Sequence, residues 1–211
     1  MLFNRAKIFV FSLVLCLALG PTFVQAKDEA PLSYENVEMG VKINCPDSWF
    51  ITPGDKVQQA LAKGIADLTS TESLKEAIKR VGVLVMFSQY QFGSPIEYNP
   101  NVALVTEPLS GSYIDNAMDY ANASLMNIKT MFKDIKVLVD PKMIKLSGKD
   151  AAHFVYEGTM VRGYLEIRMK SSVYLFIKDK LGYTLTCTDK VDNFNNNVAK
   201  FEKAVNSLEI K

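Results

Sequence analysis

His153 is the single histidine of the sequence and its first candidate for acid–base or metal chemistry. It lies in a strand-like segment, Ala151 to Thr159, and shares a face with Val155 and Glu157. A metal site or a general base needs partners, and the sequence contains no HxxxH, HExxH or CxxC pattern. The sequence therefore predicts a structural or surface histidine, and a ligand or catalytic role is the alternative.

Cys45 and Cys187 could form one disulfide if the protein is exported, because disulfides persist in oxidising compartments. Both are predicted to point into the core, since each lies on the more apolar face of its strand. The apolar residues on those faces are Val41 and Ile43 for the first cysteine, and Tyr183 and Leu185 for the second. Two separate buried thiols are the alternative, because strand order decides whether the residues meet.

Other patterns that could do chemistry have simpler interpretations. Gly111 and Ser112 could bind an anion at a helix start, but an N-cap is the expected role. The methionines Met118, Met126 and Met131 are predicted to pack in the core and on a helix face and not to form a metal–sulfur array. The sequence has no Gly-x-Ser-x-Gly and no phosphate-binding glycine loop. No catalytic residue, cofactor or metal is therefore predicted.

The amino terminus has the pattern of a signal peptide. Basic residues precede the apolar run Ile8 to Leu19, and Val24 and Ala26 supply small residues at positions −3 and −1 of a cleavage site. The run is shorter than the roughly 20 apolar residues of a membrane-spanning helix. The sequence predicts a signal peptide over residues 1–26 with cleavage after Ala26, and hence an extracytoplasmic protein.

Cys16 raises an alternative, because Leu13 to Cys16 resembles a lipobox and a lipidated cysteine would tether the protein to a membrane. A lipobox requires a small residue before the cysteine, and Leu15 is bulky. We expect Cys16 to be an apolar residue of the leader that is removed with it.

The remaining 185 of the 211 residues are expected to comprise a flexible lead-in at 27–36 and a single domain at 37–211. The leader holds two of the 24 basic residues, so 22 remain against 23 acidic ones and the net charge is −1. Nucleic acids and anionic membranes select clustered excess Lys and Arg, so neither is a predicted partner. No later segment is long and apolar enough to be a transmembrane segment.

Hydrophobic periodicity assigns the strands. Val81 to Tyr90 is the most apolar and β-branched stretch and is predicted to be a central strand packed on both faces. The segment 161–177 is long for one strand, so Lys170 to Ser172 could be a turn inside it. The other strand-like segments are 40–46, 49–51, 101–109, 135–146, 151–159 and 183–188.

Helical periodicity appears at 55–68, in a second piece capped by Thr69 or Ser73, from Ser112, and from Asp192. Asn195 to Asn197 are expected to be the solvated first turn of the last helix. The two longest apolar stripes must be buried; they are Ile114, Met118, Ala121, Leu125, Ile128 and Phe132, and Phe194, Val198, Phe201, Val205 and Leu208. Strands joined by short turns are antiparallel, and the helices can cover their faces, which predicts an α+β fold.

Several phrases of the sequence resemble the PsbP-like superfamily, over roughly Tyr34 to Ile210. They are Pro46-Asp47-Ser48-Trp49, Asn99 to Val105, the turn Ser147 to Ala151 before His153 to Glu157, and Tyr183 to Thr188 with a helix ending at Asn206-Ser207-Leu208. The superfamily includes PsbP of photosystem II and the bacterial envelope protein DcrB. The resemblance implies a central antiparallel β-sheet sandwiched between helices. Because one fold serves many functions, it carries over no catalytic residue.

The sequence thus predicts an exported, non-enzymatic accessory or binding protein of the cell envelope with a protein partner. One alternative is a small-molecule or lipid carrier, which would require an apolar pocket between sheet and helices. The other is a hydrolase, which would require a serine or an acid within hydrogen-bond distance of His153.

Overall fold

The computed structural model describes residues 32–66, 81–94, 96, 98–109, 112–162 and 165–211. The predicted signal peptide with Cys16 and its cleavage site after Ala26, and the helical piece predicted from Thr69 or Ser73, lie outside the described residues.

The described chain forms two antiparallel sheets and three helices. The strands are β1 (Ser33–Asn36), β2 (Val41–Asn44), β3 (Phe50–Pro53), β4 (Gly82–Ser88), β5 (Asn101–Pro108), β6 (Lys133–Leu146), β7 (Lys149–Arg162), β8 (Leu165–Lys178), β9 (Leu181–Lys190) and β10 (Glu209–Ile210). The helices are α1 (Gly54–Ala66), α2 (Ala117–Met131) and α3 (Phe194–Asn206). The small sheet has the order β1-β2-β10, and the seven-stranded sheet has the order β3-β4-β5-β9-β8-β7-β6.

Strands β6 to β9 form the meander that the turn signals predict, with every neighbour antiparallel. The turn proposed at Lys170 to Ser172 is wrong, because these residues lie inside β8 and pair with both β7 and β9. Ser171 is fully buried there, and its hydroxyl lies 3.1 Å from that of Thr188. Polar side chains can occupy a strand interior when they bond to each other across it.

The helix predicted from Ser112 begins at Ala117 instead. The Ser112 hydroxyl donates to the carbonyl of Leu109 at 2.6 Å and so closes a local turn. Asn116 is the N-cap, and its Oδ1 accepts from the amide of Asp119 at 2.9 Å. Both residue types cap helices, and here Asn116 does so, while the Ser112 hydroxyl accepts from the amide of Ile114 at 3.3 Å within the preceding turn.

Two clusters of buried side chains lie on opposite faces of the large sheet, because neighbouring strand residues point to opposite sides. On one face, α2 packs on β7 and β8 through Tyr120, Leu125 and Ile128. The other cluster includes Ala151 and Phe176 of the same strands. The same cluster contains Phe201 and Val205 of α3, and Ile43 and Ile210 of the small sheet.

Some expectations on exposure differ from the structure. Met126 and Met131 are exposed, at 70% and 43%, because they lie on the side of α2 away from the sheet. Residues 33–36 of the predicted lead-in form β1 and pair with β2. The stretch predicted to be a central strand is β4, which is second from the sheet edge and is buried from Val85 to Ser88.

Candidate functional site

Strands β6, β7 and β8 have two unlike faces. Phe154, Tyr156 and Val173 point toward α2 and are fully buried. The residues between them point the other way and are only half buried, because α3 lies over the neighbouring strand β9. We call this second surface the open face; it consists of Lys136, Val139 and Lys142 of β6, His153, Val155 and Glu157 of β7, and Lys170, Ser172 and Tyr174 of β8.

His153 lies at the centre of the open face. Its Nε2 is 2.9 Å from the hydroxyl oxygen of Ser172, and its ring stacks on Tyr174 with centroids 4.5 Å apart. Partial burial, together with the positive charge of Lys142 on the adjacent strand, lowers the pKa of His153 to about 4. The imidazole is therefore neutral at pH 7. Its Nε2 donates a hydrogen bond to the Ser172 hydroxyl in one tautomer and accepts one from it in the other.

The His153–Ser172 contact resembles two members of a Ser–His–Asp catalytic triad, and the rest of the site does not extend it. Such a triad uses a carboxylate to orient the imidazole and free N–H groups to stabilise an oxyanion. Here Lys142 is the charged neighbour of the ring. Ser172 lies in mid-strand between Val155 and Cys187, so the backbone N–H groups around it serve the sheet ladder. The arrangement is suited to polar recognition.

A second cluster of polar side chains is buried between α2 and the sheet. Tyr120 donates a 2.6 Å hydrogen bond to Oε1 of Glu107, and its hydroxyl lies 2.9 Å from that of Thr184. Burial raises the pKa of Glu107 to about 7, although the bond from Tyr120 acts in the opposite direction. This cluster was not predicted from the sequence. The one indication of it in the sequence is Glu107, an acidic residue inside the otherwise apolar strand 101–109.

A third polar cluster anchors the start of α3. Asp189 accepts from Asn193 at 2.6 Å, from Asn197 at 2.8 Å and from the amide of Lys190 at 2.7 Å. Burial raises the pKa of Asp189 in spite of these bonds. The prediction of a solvated first turn is therefore wrong for Asn197, which is 3% exposed, because its amide satisfies the buried carboxylate.

Cys45 and Cys187 are both buried in the cluster beneath α3, as their strand faces predict. Both thiols are free in the structure. Burial raises the pKa of Cys45 to about 12, and that of Cys187 is raised as well. Within the described ranges, no group of three or more His, Cys, Asp and Glu side chains could hold a metal ion.

A small cavity lies beside the β1–β2 turn and has a volume of about 30 Å³. It is lined by Glu35, Asn36, Val37, Gly40, Val41 and Lys211. Pockets for drug-sized ligands are roughly 300 Å³ or larger, so this cavity has room for about one water molecule.

The arrangement of strands and helices matches a solved structure. The solution structure of cyanobacterial PsbP from Synechocystis sp. PCC 6803 has a TM-score of 0.50 and 12% identity, over 90% of this chain and 98% of that chain. This chain has a PsbP-like fold. The resemblance in the sequence to the PsbP-like superfamily is confirmed at the level of the fold.

Two further structures are similar to this PsbP-like chain. LpqN, involved in cell envelope biogenesis of Mycobacterium tuberculosis, has a TM-score of 0.48 and 10% identity, over 81% of this chain and 83% of that chain. PA94 from Pseudomonas aeruginosa has a TM-score of 0.45 and 13% identity, over 87% of this chain and 99% of that chain. No family model matches the chain, and no curated protein matches it in sequence. In the part of the chain that the structure covers, no helix is long and apolar enough to cross a membrane.

Proposed function

We propose that the protein is an exported accessory protein of the cell envelope, an α/β/α sandwich that binds a protein partner through the open face and catalyses no reaction. The observation that carries the proposal is the contrast between the two faces of β7 and β8. One face is closed by α2, and the other presents His153, Ser172 and Tyr174 half exposed and already hydrogen-bonded or stacked. Preorganised polar and aromatic groups on a rigid sheet favour recognition.

The carrier alternative requires a cavity between the sheet and its helices. Large side chains fill the space under α2, where Tyr120, Ile128, Phe154 and Leu175 have no exposed surface. A close-packed interface of this kind leaves no room for an acyl chain or a ring without repacking.

The hydrolase alternative is favoured by one observation, the 2.9 Å contact between His153 Nε2 and Ser172 Oγ. A hydrolase that uses this pair would lose its activity when either side chain is truncated, because a nucleophile and its base act as a unit. A binding protein would lose one hydrogen bond from a broader interface. Truncating either side chain would therefore abolish the function of a hydrolase but reduce the affinity of a binding protein only slightly.

The test uses a strain that lacks the gene and carries His153→Ala or Ser172→Ala on a plasmid. We expect both variants to restore the wild-type phenotype, while Val155→Arg, which places a long charged side chain on the open face, restores little of it. Thr130→Arg, an exposed change on α2, is the matched control for added bulk and charge. Loss of complementation by both His153→Ala and Ser172→Ala, in variants that still fold, would contradict this proposal and favour the hydrolase alternative.

Export is tested separately by sequencing the amino terminus of the protein recovered outside the cytoplasm. We expect it to begin at Lys27, after cleavage behind Ala26. A lipid-modified Cys16 at the amino terminus would contradict soluble export and place the protein on a membrane surface.

A further inference from the structure

The register of the strands places the charged residues of the open face in rows. Lys142, His153 and Tyr174 are directly paired across β6, β7 and β8. Lys136, Glu157 and Lys170 form a second row in the same way. Paired residues point to the same face, so both rows are on the open face.

Between these rows lies a third, in which Val139 of β6 pairs with Val155 of β7 and Val155 pairs with Ser172 of β8. The two valine side chains are half buried and belong to neither core cluster. On β7 the rows are two residues apart, which is about 7 Å along a strand. Along β6 the open face thus presents Lys142, then Val139, then Lys136, so that a lysine lies on either side of the valine pair.

Two acidic residues on this side of the sheet, one on the open face and one beside it, already have partners. Glu157 lies 3.8 Å from Arg168, and Glu166 lies 3.4 Å from Lys133, on the same side of the sheet. Lys136 and Lys142 are exposed and form no ion pair with any described residue. Lys142 instead faces His153 and helps to lower its pKa.

Three other acidic residues lie near this surface. Asp134 and Asp140 are at the register shifts of β6 and have no paired residue on β7. Glu202 of α3 borders the face beside Tyr174 and acts with burial to raise its pKa. Lys136 and Lys142 therefore remain the charges best placed to meet a ligand that lies along β6 and crosses the rows.

We propose that the partner of the open face is an acidic protein segment, in which carboxylates on either side of an aliphatic residue meet Lys142 and Lys136 while that residue packs on Val139 and Val155. This inference rests on the proposed binding function and specifies the chemistry of its partner. The two valines of the middle row favour a protein segment over a membrane, because lipid headgroups supply anions but no aliphatic group at that spacing.

Binding is measured with a probe peptide of seven residues that has blocked ends and in which serines alternate with glutamate, valine and glutamate, in that order, so that an extended chain points both carboxylates and the valine to one face. The same peptide with lysine in place of glutamate is the negative control. We expect the acidic peptide alone to bind, and its affinity to fall at least about tenfold between low and high salt, since exposed ion pairs are screened. His153 provides a second readout by NMR, because it is the single histidine and an arriving carboxylate should raise its pKa.

The variant Lys136→Glu with Lys142→Glu should weaken binding at least about tenfold, because it removes both cations and adds repulsion. Lys136→Gln with Lys142→Gln should weaken it less, and both should keep the wild-type unfolding temperature, since the side chains are exposed. The matched control, Lys56→Glu with Lys129→Glu, makes the same change in net charge on α1 and α2 and should leave the affinity unchanged.

Three outcomes would overturn the inference: no binding of the acidic peptide, equal loss of binding in the control variant, or binding of phosphatidylglycerol vesicles that depends on Lys136 and Lys142 when the peptide does not bind. The last outcome would assign the face to a membrane surface. If the peptide fails to bind while Val155→Arg still abolishes complementation, the chemistry of the partner is wrong and the binding function stands. If His153→Ala and Ser172→Ala both abolish complementation, the binding function itself fails.

Discussion

The Tyr120 hydroxyl and the Glu107 carboxylate are 2.6 Å apart in the interior between α2 and β5, and Glu107 is only 7% exposed. A carboxyl group in this position is harder to ionise in the folded protein than in the unfolded chain, because burial raises its pKa from 4.5 to about 7. The pair therefore links the docking of α2 to pH.

The direction in which the free energy of unfolding changes with pH follows from proton linkage. Below pH 4.5 Glu107 is protonated in both states and ionisation has no effect on stability. Between pH 4.5 and 7 the unfolded chain ionises while the folded protein does not, so the free energy of unfolding falls as the pH rises. We expect a loss of about 3 kcal/mol from this group by pH 8, measured by urea denaturation. Glu107→Gln should remove most of this dependence, and Glu38→Gln, an exposed change, should retain it.

Gly182 lies opposite Glu107 in the pairing of β5 with β9 and leaves room for Tyr120. A Cβ atom at Gly182 would lie 2.6 Å from Cζ of Tyr120. We expect Gly182→Ala to lower the free energy of unfolding by about 2 kcal/mol, since overpacking a filled core is destabilising. The same substitution in a Tyr120→Ala background should be nearly neutral. An equal cost in both backgrounds would contradict the steric explanation.

Asp189 should be important for the stability of α3. Replacing it with alanine leaves the side-chain amides of Asn193 and Asn197 without their buried acceptor, so we expect a loss of about 2 kcal/mol. Hydrogen exchange should then be fastest in the first turn of α3. Asp192→Ala, an exposed change in the same turn region, is the control and should change stability by less than about 0.5 kcal/mol.

The two buried cysteines should react slowly in the folded protein. A pKa of about 12 for Cys45 leaves almost no thiolate at pH 8, and Cys187 is shielded further by complete burial. We expect iodoacetamide to add to neither residue under native conditions and to both after unfolding without reductant, as measured by intact mass. A protein that takes up no label until reductant is added would instead contain the Cys45–Cys187 disulfide.

Periodicity in the sequence was enough to predict most elements of the fold. The stripe from Phe194 to Leu208 predicted α3, and the alternation of Val41 and Ile43 predicted β2, because apolar spacing reflects which face of a helix or strand is buried. Helix starts were less certain. Ser112 and Asn116 are both good N-caps by residue type, and the contacts of the folded chain selected Asn116.

The polar clusters depended on the tertiary structure. Glu107 and Tyr120 are 13 residues apart, and His153 and Ser172 are 19 apart, so no local pattern relates the members of either pair. Strand register brings His153 beside Tyr174 and Ser172, and the docking of α2 brings Tyr120 to Glu107. The sequence by itself determined which side chains are apolar and at what period, and hence the helices and strands. Only the tertiary structure decided which polar groups meet, because that depends on strand order and on which face each helix covers.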